Sequence, residues 1–429
     1  MTKNMSRPSE AFARLVPWIR SQFPQVGNLR SGQRRIYLDN AAGTLVPQSV
    51  ADAMGNAALW ANPQPERNWP GSFETKREHQ KARGLLADFL NAGTADRLYF
   101  SESTTAALYK LREGLEPSLE AAHNVVVTDC DHFANISPWE WRARWGVRRA
   151  RMLPDGHLDL EHFTSLLDDD TRVAAVTVAS NGLGTLLQTE EAIRVVRARA
   201  PRALVVLDAV HGAPHVPLDV QALGADALAF STYKLFGPNC GILWLRDTLS
   251  PQLSPFCVEP HTDVETLMEW GTLSNVTVAG VTAALEYLLR IGERLEPGFV
   301  GQLTGYPRQR RLFKLMMTAA RDYEQDLSTR LLTEIQDVPG VTLYGLSDPA
   351  RVAERVPTFA FETESVPDDQ LEARLWALAG LQVAAGSHYS SAVLRGLGRA
   401  SMARASFAHY NTTDDVETFI HALRALPDS

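Results

Sequence analysis

The stretch LVVLDAVHGAPHVPLDVQALGADALAFSTYK, residues 204–234, decides how this chain folds. Two apolar runs, 204–207 and 225–230, each stop on polar chemistry: Asp208 after the first, Ser231-Thr232-Tyr233-Lys234 after the second. Two earlier runs behave alike, 125–128 leading to Asp131-His132 and 173–178 leading to Asn181. Short Val, Leu and Ala runs without alternation suit strands covered on both faces, as in a parallel sheet. Ligands of such sheets gather beyond the strand carboxyl ends. The expectation is an α/β fold with a mostly parallel sheet and a site at these four ends.

Lys234 lies between the run ending at Phe230 and a second one, Gly241-Ile242-Leu243-Trp244-Leu245, so its ammonium belongs at the rim of a core. Desolvation there lowers a lysine pKa toward the range where the amine is nucleophilic. A neutral amine condenses with an aldehyde, and pyridoxal phosphate is the commonest biological aldehyde held in this way. That cofactor needs an acid for its ring nitrogen and donors for its phosphate. Asp208, ending the neighbouring run, supplies the acid.

These residues fall in motifs that resemble the class V pyridoxal-phosphate enzymes of the aspartate aminotransferase fold, and within them the cysteine desulfurase branch. The motifs run in order from Tyr37-Leu38-Asp39-Asn40-Ala41-Ala42, through Asp208-Ala209-Val210-His211-Gly212, Asp219-Val220-Gln221-Ala222-Leu223-Gly224 and Ser231-Thr232-Tyr233-Lys234-Leu235-Phe236-Gly237-Pro238, to Ser406-Phe407-Ala408-His409-Tyr410. The resemblance implies that Lys234 is the Schiff-base lysine, which also shuttles the substrate Cα proton, and that Asp208 faces the pyridinium. It makes His132 the imidazole stacked on the ring, and brings Asn181 and His211 to the ring's phenolic oxygen. Thr104 and Thr105, after Ser103 and at the start of a helical pattern, become the phosphate cradle; hydroxyls and amides at a helix N-terminus suit a dianion. Ser231 adds a hydroxyl, Tyr233 stands where desulfurases tend to have histidine and has a phenol to donate to the phosphate, and Arg404 grips the substrate α-carboxylate. Thr272, in Gly271-Thr272, matches a segment that reaches the neighbouring subunit's phosphate, which implies a homodimer with shared active sites.

One departure limits the reaction. Desulfurases carry a mobile loop with a nucleophilic cysteine, and here the corresponding segment, Val383-Ala384-Ala385-Gly386-Ser387-His388-Tyr389-Ser390-Ser391, has none; Tyr389 takes its place. A thiolate is the group that accepts persulfide sulfur. The reading is therefore a desulfurase-like C–S lyase acting by β-elimination on a small amino acid. The alternatives are a class V aminotransferase, an amino-acid epimerase or, more remotely, a non-catalytic protein of this fold.

Composition fits such an enzyme. The 429 residues are 45% hydrophobic and 21% charged, enough for a large domain and a smaller one. A net charge of −8 argues against nucleic acid or an anionic membrane as partner. Three unpatterned cysteines, Cys130, Cys240 and Cys257, suggest neither a disulfide framework nor a metal site, and with no signal-peptide or membrane-spanning run the expected location is the cytoplasm. The expected organisation is a large domain over 50–290, a small α+β domain over 291–429, and a segment 1–49 that packs with the small domain. Phe12, Leu15, Trp18 and Ile19 recur at helical spacing within 8–23. Residues 292–307 read as a linker and 308–335 as a long helix whose opening Arg308-Gln309-Arg310-Arg311 is a solvated face.

Overall fold

Seven strands form the central sheet, in the order Arg97–Ser101, Gly241–Leu245, Ala227–Ser231, Leu204–Asp208, Thr171–Thr177, Asn124–Thr128 and Gly146–Ala150. All run parallel except Gly241–Leu245, which is antiparallel to both neighbours. The computed structural model describes residues 7–65, 67–94, 96–257, 267–299 and 303–426.

Successive side chains of a strand point to opposite faces, so a strand buried on both sides must be apolar throughout. Val126, Ala174, Val205, Leu207, Leu228 and Phe230 enter one core, and Val125, Val127, Val173, Ala175, Val206, Ala227 and Ala229 the other. The uninterrupted apolar runs of the sequence are this two-sided burial. The strand expected to begin at 225 begins at Ala227, because the Asp226 carboxylate is spent accepting from Val205 N and from Arg197.

A four-stranded antiparallel sheet, Ala384–Gly386, Met402–Ser406, Thr358–Thr363 and Val341–Tyr344, makes the smaller layer. The helix Pro8–Ser21 buries Phe12, Val16 and Ile19, with the Phe12 ring 5.4 Å from that of Tyr323. Trp18 instead carries the Arg294 guanidinium 4.0 Å above its ring. The strand Ile36–Tyr37 pairs in parallel with Leu381–Gln382, and Asp39 bridges to Ser406. Chain start and C-terminal sheet are thus joined by backbone.

Within 292–307 the helix Asn275–Leu295 continues and a short 3-10 turn, Glu296–Gly298, follows; residues 300–302 lie outside the described residues. The helix Arg308–Ile335 is present, but its opening arginines are not all solvated. Arg310 is 2% exposed and donates to the carbonyls of Phe89 and Leu218 and to Asp219, while Arg308 and Arg311 pair with Glu296. A helix crossing the back of two layers turns one member of a charged run inward, and a guanidinium is tolerated there because backbone carbonyls and a carboxylate take its donors.

Candidate active site

The carboxyl ends of the parallel strands converge on a cavity lined by Ser103, Thr104, Thr105, His132, Asn181, Asp208, His211, Ser231, Tyr233 and Lys234, with Thr177, Ala179 and Val210 between them. Each arrives for a local reason. Ser103 ends the loop after Arg97–Ser101 and caps the helix Thr104–Leu115 by accepting from Ala106 N. The first amides of that helix have no partner within it and point toward the cavity end. Thr104 Oγ1 lies 2.6 Å from Ser231 Oγ, which closes the cradle from the neighbouring strand. A Cβ at Gly241 would stand 2.3 Å from the Ser103 carbonyl carbon and 2.6 Å from Thr104 N. Only glycine lets the reversed strand pass this close beneath the turn.

Lys234 closes a one-turn 3-10 helix, Thr232–Lys234, after Ala227–Ser231, and is 5% exposed. Burial, and then the positive charge of Arg404, lower its pKa to about 8, against the opposing pull of Asp208 and Asp39. Asp208, the last residue of its strand, accepts from Val210 N at 2.8 Å. Burial raises its pKa to about 6, while that amide and Lys234 pull it down. At neutral pH it is mainly ionised and faces a cation.

His132 follows Asn124–Thr128 and caps the helix Phe133–Glu140, its Nδ1 accepting from Ala134 N at 3.0 Å. Burial, then Lys234 and Arg404, hold its pKa near 4, so the ring is a neutral flat face. His211 is fully buried; its Nε2 lies 3.0 Å from Thr358 Oγ1, and its Nδ1 has no protein partner. Burial pushes its pKa well down as well. Asn181 Nδ2 donates to the His388 carbonyl and its Oδ1 accepts from Ser390 Oγ, both at 2.8 Å. Its amide therefore holds the loop 387–391 as well as lining the cavity. Tyr233 is half-buried against Gly43.

Arg404 sits just behind the lining, 3% exposed, donating to the Asn181 carbonyl at 2.9 Å and to Asp39 at 3.4 Å. Its Nε is buried without a protein partner. Thr272 is exposed and does not line this cavity. The loop itself is tightly held: the Tyr389 carbonyl accepts from Phe133 N, and His388 Nε2 lies 2.9 Å from the Met402 carbonyl. His388 and Tyr389 both have positive φ, 51° and 53°, a left-handed conformation costly for such side chains. The Tyr389 ring, 74% exposed, lies 5.6 Å from that of His132.

Some partners were not singled out from sequence: Asp39 against Arg404, Ser390 against Asn181, and Thr358 against His211. Asp39 and Ser390 stand in quoted motifs, but Thr358 opens an apolar run and gives no signal. None of the three cysteines lines the cavity; Cys130 and Cys240 are buried with thiol pKa values pushed up, the latter to about 12, and Cys257 is half-buried. Among the described residues no cluster suits a metal ion, and no helix is long and apolar enough to cross a membrane.

The donor set fits pyridoxal phosphate on the structure's own terms. It holds a buried lysine with a depressed pKa, a buried carboxylate beside it, a neutral imidazole face, an unpartnered buried His211 nitrogen and a helix N-terminus ringed by hydroxyls.

Comparison with known proteins agrees. The sequence model of the aminotransferase class-V family matches residues 36–295 and 308–419. Cysteine desulfurases of Yersinia pestis (strain Pestoides F) and Serratia proteamaculans are 28% identical to the chain, covering 95% of it and 97% of their own length. Among solved structures, the apo cysteine desulfurase of Thermococcus onnurineus NA1 superposes with a TM-score of 0.78 at 23% identity, covering 92% of this chain and 95% of that one. The cysteine desulfurase CsdA of Escherichia coli, in its S-sulfonic acid form, gives 0.77 at 24%, covering 96% and 98%. Fold and site together define a pyridoxal-phosphate-dependent enzyme of the aspartate aminotransferase fold. The chain belongs to the aminotransferase class-V family, as a cysteine desulfurase-like member.

Proposed function

We propose that the chain is a C–S lyase: it removes a sulfur substituent from Cβ of a small cysteine-derived amino acid by β-elimination, without a protein persulfide. The observation that carries this reading is the loop 387–391, which offers Tyr389 at the cavity mouth where a desulfurase offers a thiol, while Cys130 and Cys240 are buried with raised thiol pKa values. Among the described residues no cysteine lines the cavity to attack the substrate sulfur, so that sulfur leaves as a thiol.

Lys234, Asp208, His132, His211, Asn181, Tyr233, Ser231, Thr104 and Thr105 would hold pyridoxal 5'-phosphate, which when bound supplies an electron sink for charge developing at the substrate Cα. The Asp208 carboxylate holds a proton on the ring nitrogen, and its own burial strengthens that bond. Arg404 receives the substrate carboxylate on its fork, exchanging the weak 3.4 Å contact with Asp39 for a bidentate one. Fixing the carboxylate would set which bond to Cα is presented to Lys234. Lys234 Nζ then takes the Cα proton, a role its lowered pKa suits at neutral pH. The loop, tied to Asn181 and Phe133, keeps bulk water from that proton.

The resemblance in Gly271-Thr272 supports a homodimer in which Thr272 completes the partner's phosphate site. Three unpaired cysteines favour a reducing compartment, the cytoplasm. The purified protein, saturated with cofactor, is given S-substituted cysteines. Stoichiometric thiol, pyruvate and ammonia are expected. Alanine and sulfide from cysteine, or transfer of the amino group to a keto acid, would overturn the lyase reading.

A further inference from the structure

Arg355 is a buried cation with carbonyl partners. It is 3% exposed, and its guanidinium donates to the carbonyls of Leu346, Leu183 and Thr358 and, from Nε, to that of Val356. The Phe359 ring lies 4.1 Å beneath its Cζ. Among the described residues no carboxylate bonds to it. Burial alone lowers its pKa, to about 9. An unneutralised buried charge is among the costlier features a fold can carry, so the position of its donors is informative.

Two of the four carbonyls belong to segments tied to the cavity. Leu183 lies in the turn that presents Asn181. Thr358 carries the hydroxyl that meets His211 Nε2. Around them the chains are laced together by backbone: Leu186 N donates to the Glu354 carbonyl and Val356 N to that of Gly184, at 2.9 and 2.8 Å. Gly184 has φ +77°, and a Cβ there would stand 2.3 Å from the Thr358 carbonyl oxygen. The two segments therefore approach closely beside the turn that bears Asn181. The Arg355 fork joins them.

We infer that Arg355 is a positioning residue for the cofactor ring: by holding the Leu183 and Thr358 carbonyls on one fork, it fixes the turn bearing Asn181 and the hydroxyl that orients His211. The inference rests on the reading of this cavity as a pyridoxal-phosphate site. It assigns the residue no contact with cofactor or substrate.

The test compares wild type, Arg355→Met, Arg355→Lys and Thr358→Val, each titrated with pyridoxal phosphate. The dissociation constant and the visible circular dichroism of the bound chromophore are the readouts. Arg355→Met should weaken cofactor binding about 10-fold, the size of one lost hydrogen bond to a charged or buried group, and change the sign or amplitude of the dichroic band. Arg355→Lys, which keeps the charge and has three donors for the Leu346, Leu183 and Thr358 carbonyls, should recover most of both. Thr358→Val leaves the fork in place and removes only the His211 contact, so it should reproduce the dichroic change. Arg355→Met lowering the melting temperature while affinity and dichroism stay at wild-type values would make Arg355 a mere staple and overturn the inference; so would a Thr358→Val spectrum identical to wild type. A wild type that binds no cofactor would remove the cavity reading itself, a different failure visible in the control.

Discussion

At the residue scale, the site is organised by one comparison of charges. Lys234 and Arg404 are both buried within each other's influence, each faced by a carboxylate, Asp208 and Asp39. Because burial and then Arg404 lower the Lys234 pKa to about 8, cofactor capture by the empty protein, which needs the neutral amine, should accelerate as pH rises to about 8 and level above it. Arg404→Gln removes the charge that disfavours the ammonium, so the midpoint should move to higher pH. Stopped-flow absorbance of capture against pH measures both; a midpoint that stays or falls in the variant would contradict this account of the lysine. Lys234→Ala should abolish borohydride-fixable attachment of the cofactor and lower turnover by about 10²–10⁴-fold, the range for losing a positioned acid–base group. That Lys234 and Asp208 line one cavity was readable in sequence from their places: Asp208 ends one apolar run and Lys234 follows the end of another by four residues, and a buried strand announces its own end. The second partners were not, because Thr358 meets His211, and Ser390 meets Asn181, only after chain segments 147 and 209 residues apart fold together.

At the element scale, helix Arg308–Ile335 shows why a charge run is a weak guide to exposure. Its first turn reads as four polar residues in a row, a solvated face by pattern alone. Helical geometry turns successive residues about 100° apart, so one of the four must face inward once the helix is packed lengthwise on other elements. Arg310 is that residue, and the fold answers it with three carbonyls and Asp219. Arg310→Ala should cost on the order of 2–4 kcal/mol, since these acceptors lose their donor in a buried place. Arg308→Ala, at an exposed pair with Glu296, should change stability by less than about 1 kcal/mol. Urea denaturation of both variants separates them, and equal small effects would sink the burial argument. The loop 387–391 carries the opposite lesson. Its missing cysteine was plain in the sequence, yet its two left-handed residues and its ties to Asn181 and Phe133 depend on long-range contacts that no local pattern encodes.

At the scale of the whole molecule, the single chain leaves two features open to solvent that a dimer would use. Leu59, Trp60, Trp69 and Phe73, on and beside the helices Gln48–Trp60 and Pro70–Leu90, are 47–80% exposed. Thr272 is exposed too, away from the cavity of its own chain. If Thr272 serves the partner's phosphate site, the two sites of a twofold dimer each draw Lys234 from one chain and Thr272 from the other. Lys234→Ala and Thr272→Asp homodimers should then both be inactive, the first for lack of the amine and the second because a carboxylate repels the phosphate. In a mixed dimer one site collects both lesions, while the other joins the native Lys234 of one chain to the native Thr272 of its partner. Random reassortment of equal amounts makes half the dimers mixed, each with one intact site, so about a quarter of wild-type activity should return. The measurement is activity after unfolding and refolding the two variants together. No recovery, with mixed dimers demonstrated by mass, would mean that each site takes Thr272 from its own chain, and an active Thr272→Asp homodimer would mean that Thr272 belongs to neither.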